Sequence, residues 1–423
     1  MDDDVNREAA EPTLAERAEL LLGAPLGRDF LGTFVDFDLD DTLFAALGLG
    51  TVPGTLTFVV EDDGPGSAPR SRTVRRRKRR DWREVPAGEA RAVLREVVGR
   101  GEWRGPGELP EAELMDRLSG VTEGFGFGGG DTEVWGLTAL AAEELRPVAA
   151  ALVASPAASW WWDPVDRSDQ RQLVWGGPDQ DKGRRRKRKK ADRAEDSAGD
   201  STDVAAGGLT GVAEAMRRDM AQERAANKRG LRRRPRRGER SLGATWWSAP
   251  DFAEGTWTTG PRGGLPALEL GHFIDTFTPF EEEATATVAV LTVDERARVA
   301  EIRRPHDWLD LVSRFPRDVS GTHDGEWRDW GDVDGPWYLP DWEALAEHYD
   351  GVHVTVGGCL SSFGLAQPVH DGYTMLAGWL PDATVWLRDV ATDHRPLGIW
   401  RGDPQEGGEW EDILAGWEPH ARE

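Results

Sequence analysis

The sequence predicts an α+β protein with mixed sheet and flanking helices, and three observations carry that expectation. Both helical segments and strand-like segments are expected along the chain, which makes a mixed α+β protein. Threonine- and valine-rich strands gather after residue 244, where ten of the twenty tryptophans lie between Trp308 and Trp417. Between these regions, residues 176–243 turn polar, charged and glycine-rich, which predicts a long, disordered linker. The expected organisation is therefore an N-terminal α+β region over 1–175, a linker over 176–243 and a Trp-rich α+β domain over 244–423.

The elements follow in order. Residues Pro12 to Gly23 have helical composition, with Leu14, Leu20, Leu21 and Leu22 as contacts. Strands are expected at Phe30 to Leu39 and Thr55 to Val60, and helices at Pro86 to Val98 and Pro110 to Leu118. A glycine-rich loop spans Gly124 to Gly130, and a helical stretch from Leu137 to Ala154 should kink or split at Pro147. One helix, Val212 to Asn227, is possible inside the linker. Further strands are expected at Thr285 to Val293, Arg296 to Ile302, Val352 to Val356, Thr374 to Gly378 and Thr384 to Arg388. Pro305 to Phe315 should be helical, and Asp341 should cap a short helix ending near Tyr349. Two echoing segments, Ser159 to Pro164 and Thr245 to Pro250, flank the linker, each followed by a further tryptophan, Trp175 or Trp257. If the echo is structural, both flanks belong to one sheet.

Charge bounds the function. The balance is 52 basic against 76 acidic side chains, a net charge of −24. Nevertheless nine basic residues fall between Arg70 and Arg83, seven between Arg184 and Lys190, and seven between Lys228 and Arg237. Such blocks repel internally and favour solvated arms, which can contact phosphates or fold back on the acidic body. Arg184, Arg185, Arg186, Arg232 and Arg233 are the candidate polyanion contacts, making nucleic acid a possible partner. Trp327, Trp330, Trp337, Trp342 and Trp379 either fill a core or line a binding groove for an unidentified protein. No apolar run reaches the roughly 20 residues of a membrane-spanning helix. The acidic start at Asp2, Asp3 and Asp4 is unlike a secretory signal, and Cys359 is the single cysteine, so a cytoplasmic protein is expected. No cofactor or metal is expected outside the hydrolase alternative below.

Local motifs offer other chemistries. Gly124 to Gly129 matches G-x-G-x-x-G without a preceding strand, which reads as a glycine hinge. Asp332, Asp334 and Gly335 read as a polar turn, and His353, Cys359 and His370 lie close enough in sequence for a thiol–base pair or metal ligands.

Phe37-Asp38-Leu39-Asp40-Asp41-Thr42-Leu43-Phe44 resembles the first motif of haloacid-dehalogenase-type phosphohydrolases. The resemblance implies Asp38 as nucleophile, Asp40 as general acid, Thr292 as second motif, Asp389 with Asp393 as the last, and a Mg²⁺ ion. No lysine follows Lys228, so Arg298 or Arg303 would have to replace that family's lysine. The segments Trp337 to Trp342, Tyr349 to Val354 and Gly378-Trp379 resemble a pattern in uncharacterised bacterial proteins from GC-rich genomes, which implies a separate C-terminal domain and no particular activity. In strand order the chain is also similar to ADP-ribosyltransferase toxins, although Thr384 to Arg388 lacks their glutamate. The leading expectation is a non-catalytic binding or regulatory protein; Mg²⁺-dependent phosphate-ester hydrolysis and an ADP-ribosyltransferase-like toxin or defence protein are the alternatives.

Overall fold

A computed structural model of the chain describes residues 11–34, 55–59, 82–86, 95, 98–99, 105, 109–126, 142–175, 209, 211–232, 246–250, 257–273, 284–331, 333–402 and 410–420. The fold is α+β, with a mixed eight-stranded sheet and packed helices. It divides into two units, residues 1–109 with 129–158, and 110–128 with 159–423. The second unit includes the segment from Ser159 through β-strand residues Gln170–Trp175, which join the large sheet.

In the first unit, helix α1 (Leu14–Gly23) starts at a capping box in which Thr13 and Glu16 satisfy each other's backbone amides. Helix α2 (Pro25–Gly32) replaces the start of the strand expected at Phe30. Pro25 occupies its first turn, and Phe30 packs edge-on against Phe34 at 5.2 Å, a helical spacing of four. Strands β1 (Thr55–Val59) and β2 (Trp82–Pro86) form an antiparallel pair, so residues expected to begin a helix at Pro86 end a strand.

The second unit contributes helix α3 (Glu111–Gly126), which runs through Gly124 and Gly126 of the expected glycine loop. Returning to the first unit, helix α4 (Ala142–Val153) carries Pro147 inside a single helix rather than splitting there. Leu145, Val148 and Leu152 form its buried face.

The remaining elements belong to the second unit. They are β3 (Gln170–Trp175), α5 (Val212–Leu231), β4 (Trp257–Thr259), α6 (Leu268–Phe273), β5 (Ala284–Val293), β6 (Val299–Ile302) and α7 (Pro305–Arg314). After these come β7 (Pro316–Asp318), α8 (Ser320–Gly331), β8 (Tyr338–Pro340), α9 (Trp342–Leu345), β9 (Gly351–Val354) and α10 (Val356–Ser362). The chain then forms β10 (Gln367–Val369), β11 (Gly372–Thr374), β12 (Ala383–Trp386), β13 (Ala391–Gly402), α11 (Trp410–Ala415) and β14 (Trp417–Pro419). The large sheet has the order β14-β13-β5-β3-β4-β12-β9-β6, antiparallel except for β6 beside β9. The two strands that follow the Trp echoes, β3 and β4, are neighbours through Arg171 and Thr259, so both flanks of the charged segment join one sheet.

Indole packing gives this unit its core. Trp161, Trp162, Trp308, Trp327, Trp337, Trp342, Trp379 and Trp386 are among its largest fully buried side chains. Trp379 meets Trp257 and Trp308 at 5.0 and 6.3 Å in edge-to-face geometry, and Trp327 meets Trp337 at 5.3 Å. A Cβ on Gly357 would overlap the Trp162 ring, so only glycine lets α10 approach it.

Candidate functional site

The helix inside the expected linker is anchored. Val212, Ala215, Met216 and Met220 form its buried face. Beside them Glu223 pairs with Arg317 at 2.6 Å, both largely withdrawn from solvent. Arg224 reaches Asp341 at 3.1 Å and Glu343 at 2.5 Å, which raises its pKa against an opposing contribution from burial. Asp341 is itself the N-cap of α9, as expected, accepting from the Ala344 amide. Asn227 accepts from the Gly321 amide at 2.6 Å and donates to the Asp318 carbonyl at 2.7 Å. A side chain of α5 thereby satisfies an otherwise orphaned amide in the first turn of α8. Gly230 and Gly321 meet backbone to backbone, and a Cβ on either would overlap the other segment.

Anchoring fixes which residues face outward. At about 3.6 residues per turn, Arg217, Ala221, Lys228 and Arg232 fall on the side opposite the buried face, and all four are exposed. Arg229 is exposed beside them, and Lys228 and Arg229 occupy the last turn, where cations complement the helix dipole. The next basic residues in sequence are Arg233, Arg234, Arg236 and Arg237. Of the expected polyanion contacts, Arg232 is therefore an exposed C-cap, whereas Arg184, Arg185, Arg186 and Arg233 lie outside the described residues.

The expected aromatic site is placed differently. Trp327, Trp337, Trp342 and Trp379 are buried in the core, and Trp330 is half-buried against Trp246 at 4.8 Å. Four of the five named indoles thus face no open groove. Trp327 stands on α8, Trp342 on α9, Trp337 just before β8 and Trp379 in the β11–β12 connection, and all four rings are turned inward.

A second polar constellation, invisible in the sequence, crosses one face of the sheet. Thr258, Thr384, His353 and Glu301 stand in register on β4, β12, β9 and β6. His353 is 1% exposed. Its Nδ1 lies 2.6 Å from Glu301 and its Nε2 3.2 Å from Asp382. Burial works to lower its pKa, but the charge of Glu301 and the hydrogen bonds to both carboxylates override it and push the value up to about 9. His353 is therefore an imidazolium donating both N–H groups. Asp382 is held in the left-handed backbone region at φ 57° and also accepts from the Gly260 amide at 3.1 Å. Nearby on α6, burial raises Glu269 to about 8; at His272 burial lowers the pKa to about 4, against a raising influence of the Asp382 charge.

His353, Cys359 and His370 do not converge. Cys359 is fully buried, its thiol pushed up by burial, and its Sγ lies 3.6 Å from the Trp379 carbonyl. His370 rests against Tyr338 at 5.6 Å, so His353, Cys359 and His370 form no triad. Among the described residues, no group of three or more His, Cys, Asp or Glu is arranged to hold a metal ion. Asp38 and Asp40 lie outside the described residues, as do Asp332 and the end of the expected glycine loop, Phe127 to Gly130. Thr292 stands on β5, antiparallel to both neighbours, and Asp389 lies in the β12–β13 connection. No helix among the described residues is long and apolar enough to cross a membrane. Comparisons with family models, curated proteins and solved structures found no match to the chain.

Proposed function

We propose that this chain is a non-catalytic binding protein that attracts a polyanionic partner through its basic segments, with the block from Lys228 to Arg237 as the principal contact. The observation that carries this reading is the exposed trio Lys228, Arg229 and Arg232 on a helix pinned by Glu223, Arg224 and Asn227. A fixed helix end presents its charges without first ordering a free segment, which lowers the entropic cost of binding. The acidic balance elsewhere, −24 overall, disfavours adventitious polyanion contact away from the basic blocks. The buried indoles support the reading as a rigid scaffold rather than as the contact surface.

Titration of the full chain with inorganic polyphosphate tests it. Binding should weaken steeply between about 50 and 200 mM salt, because each neutralised phosphate releases counterions. The triple substitution Lys228→Glu, Arg229→Glu, Arg232→Glu should weaken binding by about tenfold or more at the lower salt. Wild-type affinity in that variant, or no binding by the unmodified chain, would remove the proposal.

A further inference from the structure

The outer side of α5 narrows the kind of polyanion. Exposed Arg217, Lys228, Arg229 and Arg232 are interspersed there with exposed Ala213, Ala221 and Ala225, with exposed Gln222 beside Arg229. The whole helix, Val212–Leu231, contains no aromatic residue. A surface for unpaired bases uses aromatic rings as stacking platforms, and this one has none to offer. Val212, Ala215, Met216 and Met220 are already buried against the protein. Leu231 is the one large apolar side chain the helix exposes, too little to enter a lipid headgroup layer.

Short alanines between long cations suit close approach to a stiff, regularly charged rod. From Arg217 to Arg232 the helix extends about 22 Å, at about 1.5 Å per residue. A double helix presents about one phosphate per 1.7 Å of axis, a denser array than a single strand, and its counterion release per contact is larger, about 0.9 against about 0.7. One acidic residue, Glu214, shares this side, at the opposite end from the basic turn.

We infer that the partner of this helix is double-helical nucleic acid, held by its phosphate backbone without base recognition. This rests on the polyanion reading above and adds the duplex as the preferred form. Phosphate contacts of this kind fix position without reading sequence. Binding is therefore indifferent to base composition and strongly dependent on salt.

The test uses the full chain and five probes: a duplex DNA, a duplex RNA, the separated DNA strand at equal phosphate concentration, inorganic polyphosphate, and vesicles containing phosphatidylserine. The expected result at about 50 mM salt is duplex affinity about tenfold or more above that of the single strand. It should be unchanged on swapping the duplex sequence, with the DNA and RNA arms deciding which helix form is favoured. Replacing Lys228, Arg229 and Arg232 by glutamine should reduce the slope of log affinity against log salt by about 2.7, three contacts at about 0.9 each. Because these side chains are exposed, circular dichroism of the glutamine variant should match the wild type. Equal or tighter binding to the single strand or to vesicles overturns the duplex inference while leaving polyanion binding intact. Binding to none of the five overturns both.

Discussion

His353 provides the clearest energetic test of the second unit, because one buried cation there separates two carboxylates. A histidine with an ordinary pKa near 6.5 in the unfolded chain and about 9 in the folded one binds a proton more tightly when folded. Its stabilising contribution is complete below the unfolded value, declines as pH rises from about 6.5, and is gone above about 9. At about 1.4 kcal/mol per pKa unit, the whole effect is about 3 kcal/mol. The assay is urea unfolding followed by tryptophan fluorescence, at intervals from pH 6 to pH 10, on the wild type and on His353→Asn. The His353 contribution, read as wild type minus variant, should fall across this window by about 3 kcal/mol. Glu269, raised by burial to about 8, adds a decline below that pH common to both proteins, and the variant should be less stable at pH 6. Removing the cation leaves Glu301 and Asp382 facing an uncharged group, and breaking a buried pair costs about 3–5 kcal/mol; their partial exposure places the expected loss at the lower end. An alkaline decline of equal size in both proteins, or none in the wild type, would refute the imidazolium assignment.

Gly321→Ala should force α5 away from the N-terminus of α8, since its Cβ would overlap the Asn227 carbonyl; the expected cost is about 1–3 kcal/mol, read as faster proteolysis within residues 212–231. Arg317→Ala should loosen the same helix by removing the Arg317–Glu223 ion pair, with a loss of about 3 kcal/mol measurable by urea unfolding. Cys359, fully buried with its thiol pushed up by burial, should react with a thiol reagent at the rate of unfolding rather than at the rate of a free thiol. Rapid labelling under native conditions would contradict that packing.

Particular elements explain how much of this was legible in the sequence. Helix α7 was plain, because Pro305 takes a first-turn position, Asp307 accepts the amides of Arg303 and Arg304, and Trp308, Leu311 and Val312 share one face. The N-cap of the short α9 was equally plain at Asp341, but the helix expected to reach Tyr349 ends at Leu345. Strand β13 was hidden because Asp393, His394, Arg395 and Pro396 interrupt any alternation. It nevertheless pairs along β5 by means of two irregularities, one of them at Pro396/Gly398. The Trp echo pointed to a charged segment that leaves and re-enters one sheet, although β3 itself was not marked and β4, at three residues, was too short to mark. Phe30 and Leu31 read as strand by apolar character alone, but Pro25 and the four-residue spacing to Phe34 favour a helix.

For the candidate sites, exposed charge was readable and buried partnership was not. The block Lys228 to Arg237 stands out in composition, but its anchoring depends on Glu223 finding Arg317, 94 residues away. His353 likewise meets Glu301 across 52 residues and Asp382 across 29. Tryptophan abundance did not distinguish a groove from a core; the sheet and helices decide that by turning Trp327, Trp337, Trp342 and Trp379 inward.

Amide hydrogen exchange across Val212–Leu231, with and without polyphosphate, tests most directly whether a docked helix holds the cationic turn for a partner. The account predicts slowed exchange through Met216, Met220 and Glu223 in the free protein, and additional slowing at Lys228 to Arg232 when polyphosphate is added. Exchange at unstructured-chain rates along the whole segment, or protection at Lys228 to Arg232 that polyphosphate leaves unchanged, would contradict it.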